Sequence, residues 1–257
     1  MRILFLGDIV GKPGRKIIAE KLDGLKKKYK TDIVVGNGEN AAGGFGLTGK
    51  IYQELREMGI EVITSGNHIW DKKEIYQVID QEDRLLRPLN YSPKAPGRGY
   101  GIFNVKGGNN IGIINLSGRV FMGPADCPFR VFDDVIESIR KITPVILVDF
   151  HAEATSEKRA FLHYADGRVA AILGTHTHVS TADSQITPAG TAYITDVGMT
   201  GVQNSVLGVE PQAIISRFLT GLPQRFEVAS GNGEIRGIFL EVNGEGQAKK
   251  MEVVKSQ

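Results

Sequence analysis

The sequence predicts an α/β fold in which two mixed β-sheets pack face to face, with helices on the outside. Three observations predict it. Short runs of branched apolar residues recur along the chain, the pattern of strands buried on both faces. Early in the chain these runs alternate with amphipathic segments of helical period, the rhythm of βαβ units and a largely parallel sheet. From about residue 98 strand lies next to strand, with glycine and asparagine turns between them.

In order, ILFL (3–6), DIVVG (32–36) and EVIT (61–64) read as central strands. Between them RKIIAEKLDGLKKKY (15–29) and TGKIYQELREM (48–58) place apolar residues at helical spacing, and Lys26-Lys27-Lys28 reads as a solvated helix end. YGIFNV and NIGIINL follow as strands across Gly107-Gly108, a pair suited to a hairpin. FDDVIESIRKI reads as a helix, and VILVDF (145–150) and VAAIL (169–173) as buried strands. SEKRAFLHYADG between them reads as helical, with His163 on its surface. TAYITDV, EIRGIFLEV and KKMEVV complete the strands, the last two turning at Asn243-Gly244. The glycine-rich pieces 118–130 and 195–210 read as ordered loops over the sheet, as a pocket rim, or as a subunit contact in a homo-oligomer. With 41% hydrophobic residues over 257 positions, and neither repeat nor low-complexity linker, one domain spanning 1–257 is expected.

Composition narrows the function classes. Lys and Arg total 31 against 29 Asp and Glu, so no chain-wide field draws this protein to duplex nucleic acid or an anionic membrane. No apolar run approaches the ~20 residues of a membrane span. The single cysteine, Cys127, cannot close an internal disulfide and reads as a small packing residue. With no secretory leader pattern, a cytoplasmic protein is expected.

The stretch DIVVGNGENAAGGFG (32–46) poses the functional question. Gly36, Gly38 and Ala41 spell one form of a dinucleotide-binding loop, but Glu39 would repel a pyrophosphate there. The next strand, moreover, ends in SGNH rather than in a ribose-binding acid. Glu39 belongs instead to a wider set. Asp8 follows LFLG, Glu39 and Asn40 follow DIVVGNG, Asn67 and His68 follow VITSG, His151 follows VILVDF, and His176 and His178 follow VAAILGT. Each lies just past the carboxyl end of a predicted strand, the edge at which open α/β sheets bind ligands. A strand-end Asp or Asn taken alone is commonly a cap or turn residue, and a lone histidine a core residue. Four of the five histidines in one set argue for a shared task.

His176 and His178, one residue apart in an extended segment, would point the same way and approach two neighbouring ions. Asp8, Glu39, Asn40, Asn67, His151, His176 and His178 are more donors than a single catalytic ion with an open position takes. Two divalent or trivalent ions bridged by Glu39 are therefore expected, in a cluster whose net positive charge attracts phosphate. Mixed nitrogen and oxygen donors without thiolate suit iron, manganese or zinc.

The order GD (7–8), GNGEN (36–40), GNH (66–68), His151 and GTHTH (174–178) resembles the calcineurin-type metallophosphoesterases. GDIVGKPGR, NGENAAGGFGLT, SGNHIWD, DFHAEATSEK, THTHVSTAD, TDVGMTG and FLTGLPQRFEVA resemble the bacterial YmdB-type branch more closely, over nearly the whole chain. The resemblance implies a calcineurin-like four-layer αββα sandwich. It implies Asp8, Glu39, Asn40 and His178 around one ion, Glu39, Asn67, His151 and His176 around the other, and His68 as the catalytic histidine, with Asn67 and His68 meeting substrate. The chain departs from the wider pattern at Val10, where a histidine is usual, and at Glu39, where aspartate is usual; Asn40 is the substitute donor.

The implied reaction is phosphodiester hydrolysis. Water acidified by the ions attacks phosphorus in line, and His68, an imidazole suited to moving protons near neutral pH, protonates the leaving oxygen. The resemblance further implies cyclic nucleotides as substrates, notably 2′,3′-cyclic nucleoside monophosphates. A phosphomonoesterase or nucleotidase could use the same site, and a metal-assembled module could sense a nucleotide or an RNA-derived end without turnover. No stacking aromatic can be placed at the rim from sequence, so little base preference is expected.

Overall fold

A computed structural model describes residues 1–257. The chain opens with β1 (Arg2–Leu6) and the two-residue β2 (Asp8–Ile9), followed by α1 (Gly11–Tyr29), β3 (Ile33–Asn37), α2 (Gly49–Glu57), β4 (Val62–Thr64) and the short α3 (Ile75–Val78). β5 (Tyr100–Asn104) and β6 (Asn110–Ser117) form a hairpin, and α4 (Pro128–Arg140), β7 (Ile146–His151), α5 (Thr155–Ala165) and β8 (Ala171–Thr175) follow. The remainder contains β9 (Gln185–Ile186), β10 (Ala192–Ile194), β11 (Met199–Val202), α6 (Pro211–Thr220), β12 (Gly233–Val242) and β13 (Ala248–Ser256).

The first sheet has the order β2-β11-β12-β1-β3-β4, with β13 added on β12. Its β1, β3 and β4 are parallel, whereas β12 runs antiparallel to β1, β11 and β13. The second sheet has the order β5-β6-β7-β8-β10-β9. Both sheets are mixed, as the sequence predicts. The second is nevertheless parallel through its centre, from β6 to β7, β8 and β10. The expectation of strand lying next to strand after residue 98 applies to the β5–β6, β9–β10 and β12–β13 hairpins. The reason is connectivity: α4 and α5 intervene between successive strands, and a parallel neighbour needs such a crossover.

Three clusters of buried side chains define the layers. One of 22 residues joins the facing sides of the sheets, with Ile3, Phe5, Ile33 and Val35 against Ile111, Ile113, Leu147 and Leu173. A second packs Leu4, Leu6 and Val34 under Ile18, Leu22 and Leu25 of α1 and Tyr52 and Leu55 of α2. The third packs Ile114, Val148 and Phe150 under Phe132 and Ile136 of α4 and Phe161 of α5. The layers are therefore helix, sheet, sheet, helix. Burying a Leu, Ile or Phe side chain is worth ~1.5–3 kcal/mol, so burial in these clusters holds the layers together.

Several boundaries differ from the periodicity. α1 begins four residues before the amphipathic run: Gly11, with φ 59°, donates its N–H to the Asn40 carbonyl at 2.9 Å. Pro13 fits there because the first turn of a helix needs no N–H. This contact ties the start of α1 to the loop carrying Glu39. At its other end Lys26, Lys27 and Lys28 occupy the last turn, where cations complement the helix dipole. α6, opened by Pro211 and closed by Gly221 at φ 70°, is not evident in the periodicity, because it buries no residue fully. No helix is long and apolar enough to cross a membrane.

Candidate metal centre

The carboxyl ends of strands from both sheets meet at one rim, and all eight singled-out residues are brought there. Asp8 is held by β2, which pairs with β11. Gly7 before it lies so close to the chain that a Cβ would stand 1.8 Å from the Gly198 carbonyl oxygen, so only glycine permits the approach. Glu39 and Asn40 follow β3 in a tight turn, and Asn67 and His68 sit in the turn after β4. His151 is the last residue of β7 rather than a residue beyond it, and β8 runs on to Thr175.

The most crowded point is His151 Nε2. Glu39 Oε1 and Asn67 Oδ1 each lie 3.0 Å from it, and His176 Nδ1 lies 3.1 Å away. Beside it, Asn40 Nδ2 is 3.0 Å from His178 Nε2 and 3.3 Å from Glu39 Oε1, while His178 Nε2 is 4.0 Å from Asp8 Oδ1. Glu39 thus touches both groups. Val10, where a histidine is usual in the wider superfamily, is an apolar residue in the wall of the adjoining cavity.

His176 and His178 do not reach these places by strand alternation. The expectation of an extended segment is corrected here: His176 has φ 101° and His178 φ 64°, both in the region that favours glycine. The loop is held by its backbone instead. Asp8 Oδ2 accepts the His176 N–H at 3.1 Å, Asp196 Oδ2 accepts that of Thr177 at 3.0 Å, and the His178 carbonyl accepts the Met199 N–H at 3.2 Å. His178 Nδ1 donates to the Leu207 carbonyl at 3.0 Å, which leaves Nε2 to face Asn40 and Asp8.

A second set of side chains orients the first. Thr175 Oγ1 donates to Asp149 Oδ1 at 2.7 Å and accepts from His151 Nδ1 at 2.9 Å, so His151 presents Nε2 to the cluster. Asn37 and Thr64 donate to the other Asp149 oxygen. Asp71 Oδ2 lies 2.8 Å from His68 Nδ1, and the His68 N–H donates to Glu39 Oε2 at 2.9 Å. Sequence reading missed Asp149, Thr175 and Asp71. Asp71 had a signal, three residues after His68 in SGNHIWD; the other two lie inside strands, where nothing in the pattern separates them from structural polar residues.

Burial and neighbouring charge pull the site's groups in opposite directions. Burial pushes the Glu39 carboxyl up, but the charge of His151, their hydrogen bond and the neighbouring His68 outweigh it and bring it to about 2. Burial pushes His151 down, and Glu39, with Asp8 and Asp149, carries it up to about 9. Burial and the His151 charge hold His176 down to about 3. Burial raises the carboxyl of Asp8. One proton on His151 Nε2 thus faces three acceptors. Asp8 Oδ1 and Asn40 Oδ1 are buried with no hydrogen-bond partner at all. Leaving such groups unpaired costs ~1–3 kcal/mol each. Orphaned oxygens beside converging imidazole nitrogens suit a cation, and Glu39, His151 and His176 offer ligand atoms mutually within 4.8 Å. The residues present therefore fit metal ions.

Comparisons with known proteins place the chain among relatives. The sequence matches the YmdB-like protein family over residues 4–254. The chain belongs to that family. A 2′,3′-cyclic-nucleotide 2′-phosphodiesterase of Bacillus subtilis strain 168 is 52% identical over 251 residues, covering 97% of this chain and 94% of the relative. Two solved structures superpose with a TM-score of 0.93. One is a Thermus thermophilus protein described as hypothetical, 43% identical with both chains fully covered. The other, from Mycoplasma pneumoniae, is described as a novel phosphatase and is 41% identical, covering 99% of this chain and 92% of that one.

The donors form one side of a cavity of about 540 Å³ that Glu39, Asn40, His68, His176 and His178 line together with Phe45, Val206–Val209 and residues of α6 and its successor segment. Part of the 195–210 piece is thus pocket rim, while Met199–Val202 within it is strand β11. The 118–130 piece contributes no lining residue to this cavity. His163 is exposed on α5, and Cys127 is half-buried.

Proposed function

We propose that the chain is a metal-dependent phosphodiesterase that hydrolyses 2′,3′-cyclic nucleoside monophosphates. The observation that carries this reading is the buried, unpartnered Asp8 Oδ1 beside the acceptor-rich point at His151 Nε2, opening on a cavity large enough for a nucleotide. In this reading Asp8, Glu39, Asn40 and His178 hold one ion, and Glu39, Asn67, His151 and His176 the other. Oxygen and imidazole donors without thiolate suit iron or manganese, with zinc a further fit. Two ions, when bound, supply positive charge that acidifies water and polarises phosphoryl oxygens. The B. subtilis relative's activity supports the choice of substrate.

The chain's own residues then account for the rest. Glu39 is held with both oxygens engaged, one toward His151 and one on the His68 N–H, so it cannot swing away during turnover. Asp71 fixes His68 at Nδ1 and leaves Nε2 to hand a proton to the 2′ oxygen as the P–O2′ bond breaks. Water contributes the oxygen that phosphorus gains. The product carries a 3′-phosphate and a free 2′-hydroxyl.

A phosphomonoesterase is the second reading, favoured by the description of the M. pneumoniae relative as a phosphatase. The deciding experiment compares kcat/KM on 2′,3′-cyclic AMP, 3′,5′-cyclic AMP and 3′-AMP with manganese or iron supplied. The 2′,3′-cyclic ester should be fastest, since opening its strained ring adds to the driving force. If 3′-AMP were the best of the three, the monoesterase reading would replace this one.

A further inference from the structure

We infer that the aromatic wall of the cavity beside the metal donors is a nucleobase subsite, formed by Phe45, Phe218 and Phe226 with Arg217. The inference rests on the phosphodiesterase reading for the position of the phosphate, and it adds a determinant of base preference.

Four observations carry it. The Phe45 ring packs against His68, with centroids 5.0 Å apart and planes at 62°, so an aromatic surface begins where the leaving oxygen would sit. Phe218 on α6 lines the same cavity yet is 84% exposed, a large apolar side chain with nothing covering it. The Arg217 guanidinium lies 5.2 Å over the Phe226 ring, while the nearby Glu227 pairs with Arg225 instead. Arg217 therefore presents a flat cation toward the cavity without a carboxylate of its own. Lastly, this wall is tied to the metal donors, because the Leu207 carbonyl in it accepts the His178 Nδ1–H.

The chemistry selects a base over other apolar groups. In a 2′,3′-cyclic nucleotide the base leaves the ribose away from the cyclic phosphate, so a phosphate at the donors directs the base across the cavity. Aromatic rings bind bases through stacking, and a guanidinium plane adds a cation–π contribution. Purines offer the larger face and should be preferred. This replaces the expectation of little base preference, which followed from being unable to place these phenylalanines on the rim by sequence.

The test uses manganese-loaded protein and three cyclic esters: 2′,3′-cyclic AMP, 2′,3′-cyclic CMP and the base-free methyl riboside 2′,3′-cyclic phosphate. In Phe218→Ala, the ratio of kcat/KM on cyclic AMP to that on the base-free ester should fall about tenfold, mainly through KM. Phe226→Leu, which keeps an apolar side chain of similar reach, should lower the same ratio in the same direction. Phe121→Ala, at a position 90% exposed and outside the cavity, should leave it unchanged. An unchanged ratio in both Phe218→Ala and Phe226→Leu, or a wild-type enzyme that treats the base-free ester as well as cyclic AMP, would overturn the subsite. If the wild type hydrolysed none of the cyclic esters, the phosphodiesterase reading would fail. The subsite would then be decided by calorimetric binding of 3′-AMP against ribose 3-phosphate: a base-dependent gain lost in Phe218→Ala supports it, and equal binding rejects it.

Discussion

Lys158 Nζ lies 2.9 Å from Asp196 Oδ2, with both side chains sealed from solvent. The pair sits directly behind the loop of His176 and His178. Lys158 also donates to the Thr175 carbonyl at 2.8 Å, and Asp196 accepts the N–H groups of Thr177 at 3.0 Å and Gly198 at 2.8 Å. Backbone at positive φ costs on the order of 1–3 kcal/mol per non-glycine residue. The ion pair grips the peptides on either side of His176 and so offsets that strain where the imidazoles must be aimed.

Asp196→Ala would leave the Lys158 ammonium buried without its counter-charge, and a loss of ~3–5 kcal/mol in stability is expected. Lys158→Met should cost less, because Asp196 keeps its two backbone donors. Both should lower metal occupancy. Melting temperature and metal stoichiometry measure the two effects, and a Lys158→Met protein unchanged in both would show that the pair braces nothing.

Glu39 touches both groups of donors, so Glu39→Gln removes a shared negative charge while keeping the shape. Activity should fall by orders of magnitude with the fold intact. Circular dichroism, metal analysis and turnover on 2′,3′-cyclic AMP check this together; two retained ions with near-normal turnover would overturn the proposed bridging role.

In the proposed mechanism His68, held by Asp71, stands apart from the metal donors. His68→Ala should keep the ions and slow hydrolysis ~10²–10⁴-fold, as for a lost general acid. The loss should shrink on p-nitrophenyl esters, whose leaving group needs little protonation. Asp71→Asn should show the same dependence on leaving group with a smaller amplitude, since it disturbs only the orientation of the ring. Equal losses on good and poor leaving groups would assign His68 to phosphate binding instead.

Gly66 lies beneath the site, where an added Cβ would stand 2.2 Å from the His151 ring and 2.5 Å from Glu39 Oε2. Gly66→Ala should therefore push two donors apart and weaken metal binding, by ~10–100-fold if the effect matches that of losing an orienting partner. The sheets should remain folded. Metal titration of the variant tests this, and wild-type affinity would mean that His151 and Glu39 can shift at no cost.

The strand ends were legible because burial on both faces leaves no doubt about runs such as VILVDF, and chemistry begins where those runs stop. α6 was not legible. Its apolar residues Ile215, Phe218 and Leu219 are exposed, so it lacks the one-sided burial that periodicity reports. The paired histidines do reach one rim, but not by strand alternation, which cannot describe a loop with two residues at positive φ.

By itself the sequence determined the βαβ opening, the late hairpins and the identity of the eight polar residues that gather at one rim. Those follow from local causes: apolar periodicity, turn residues, and polar side chains placed where a buried strand ends. Only the tertiary structure decided which donors share a point in space, that Asp149 and Thr175 turn His151 Nε2 inward, and that Lys158 of α5 reaches Asp196 beyond β10. It also decided that Phe218 and Phe226, about 180 residues from Glu39 in the chain, face the same cavity. The physical reason is that these relationships cross from one sheet to the other or from a helix to a sheet edge. The register and approach that set them come from packing across the shared core, which no stretch of neighbouring residues encodes.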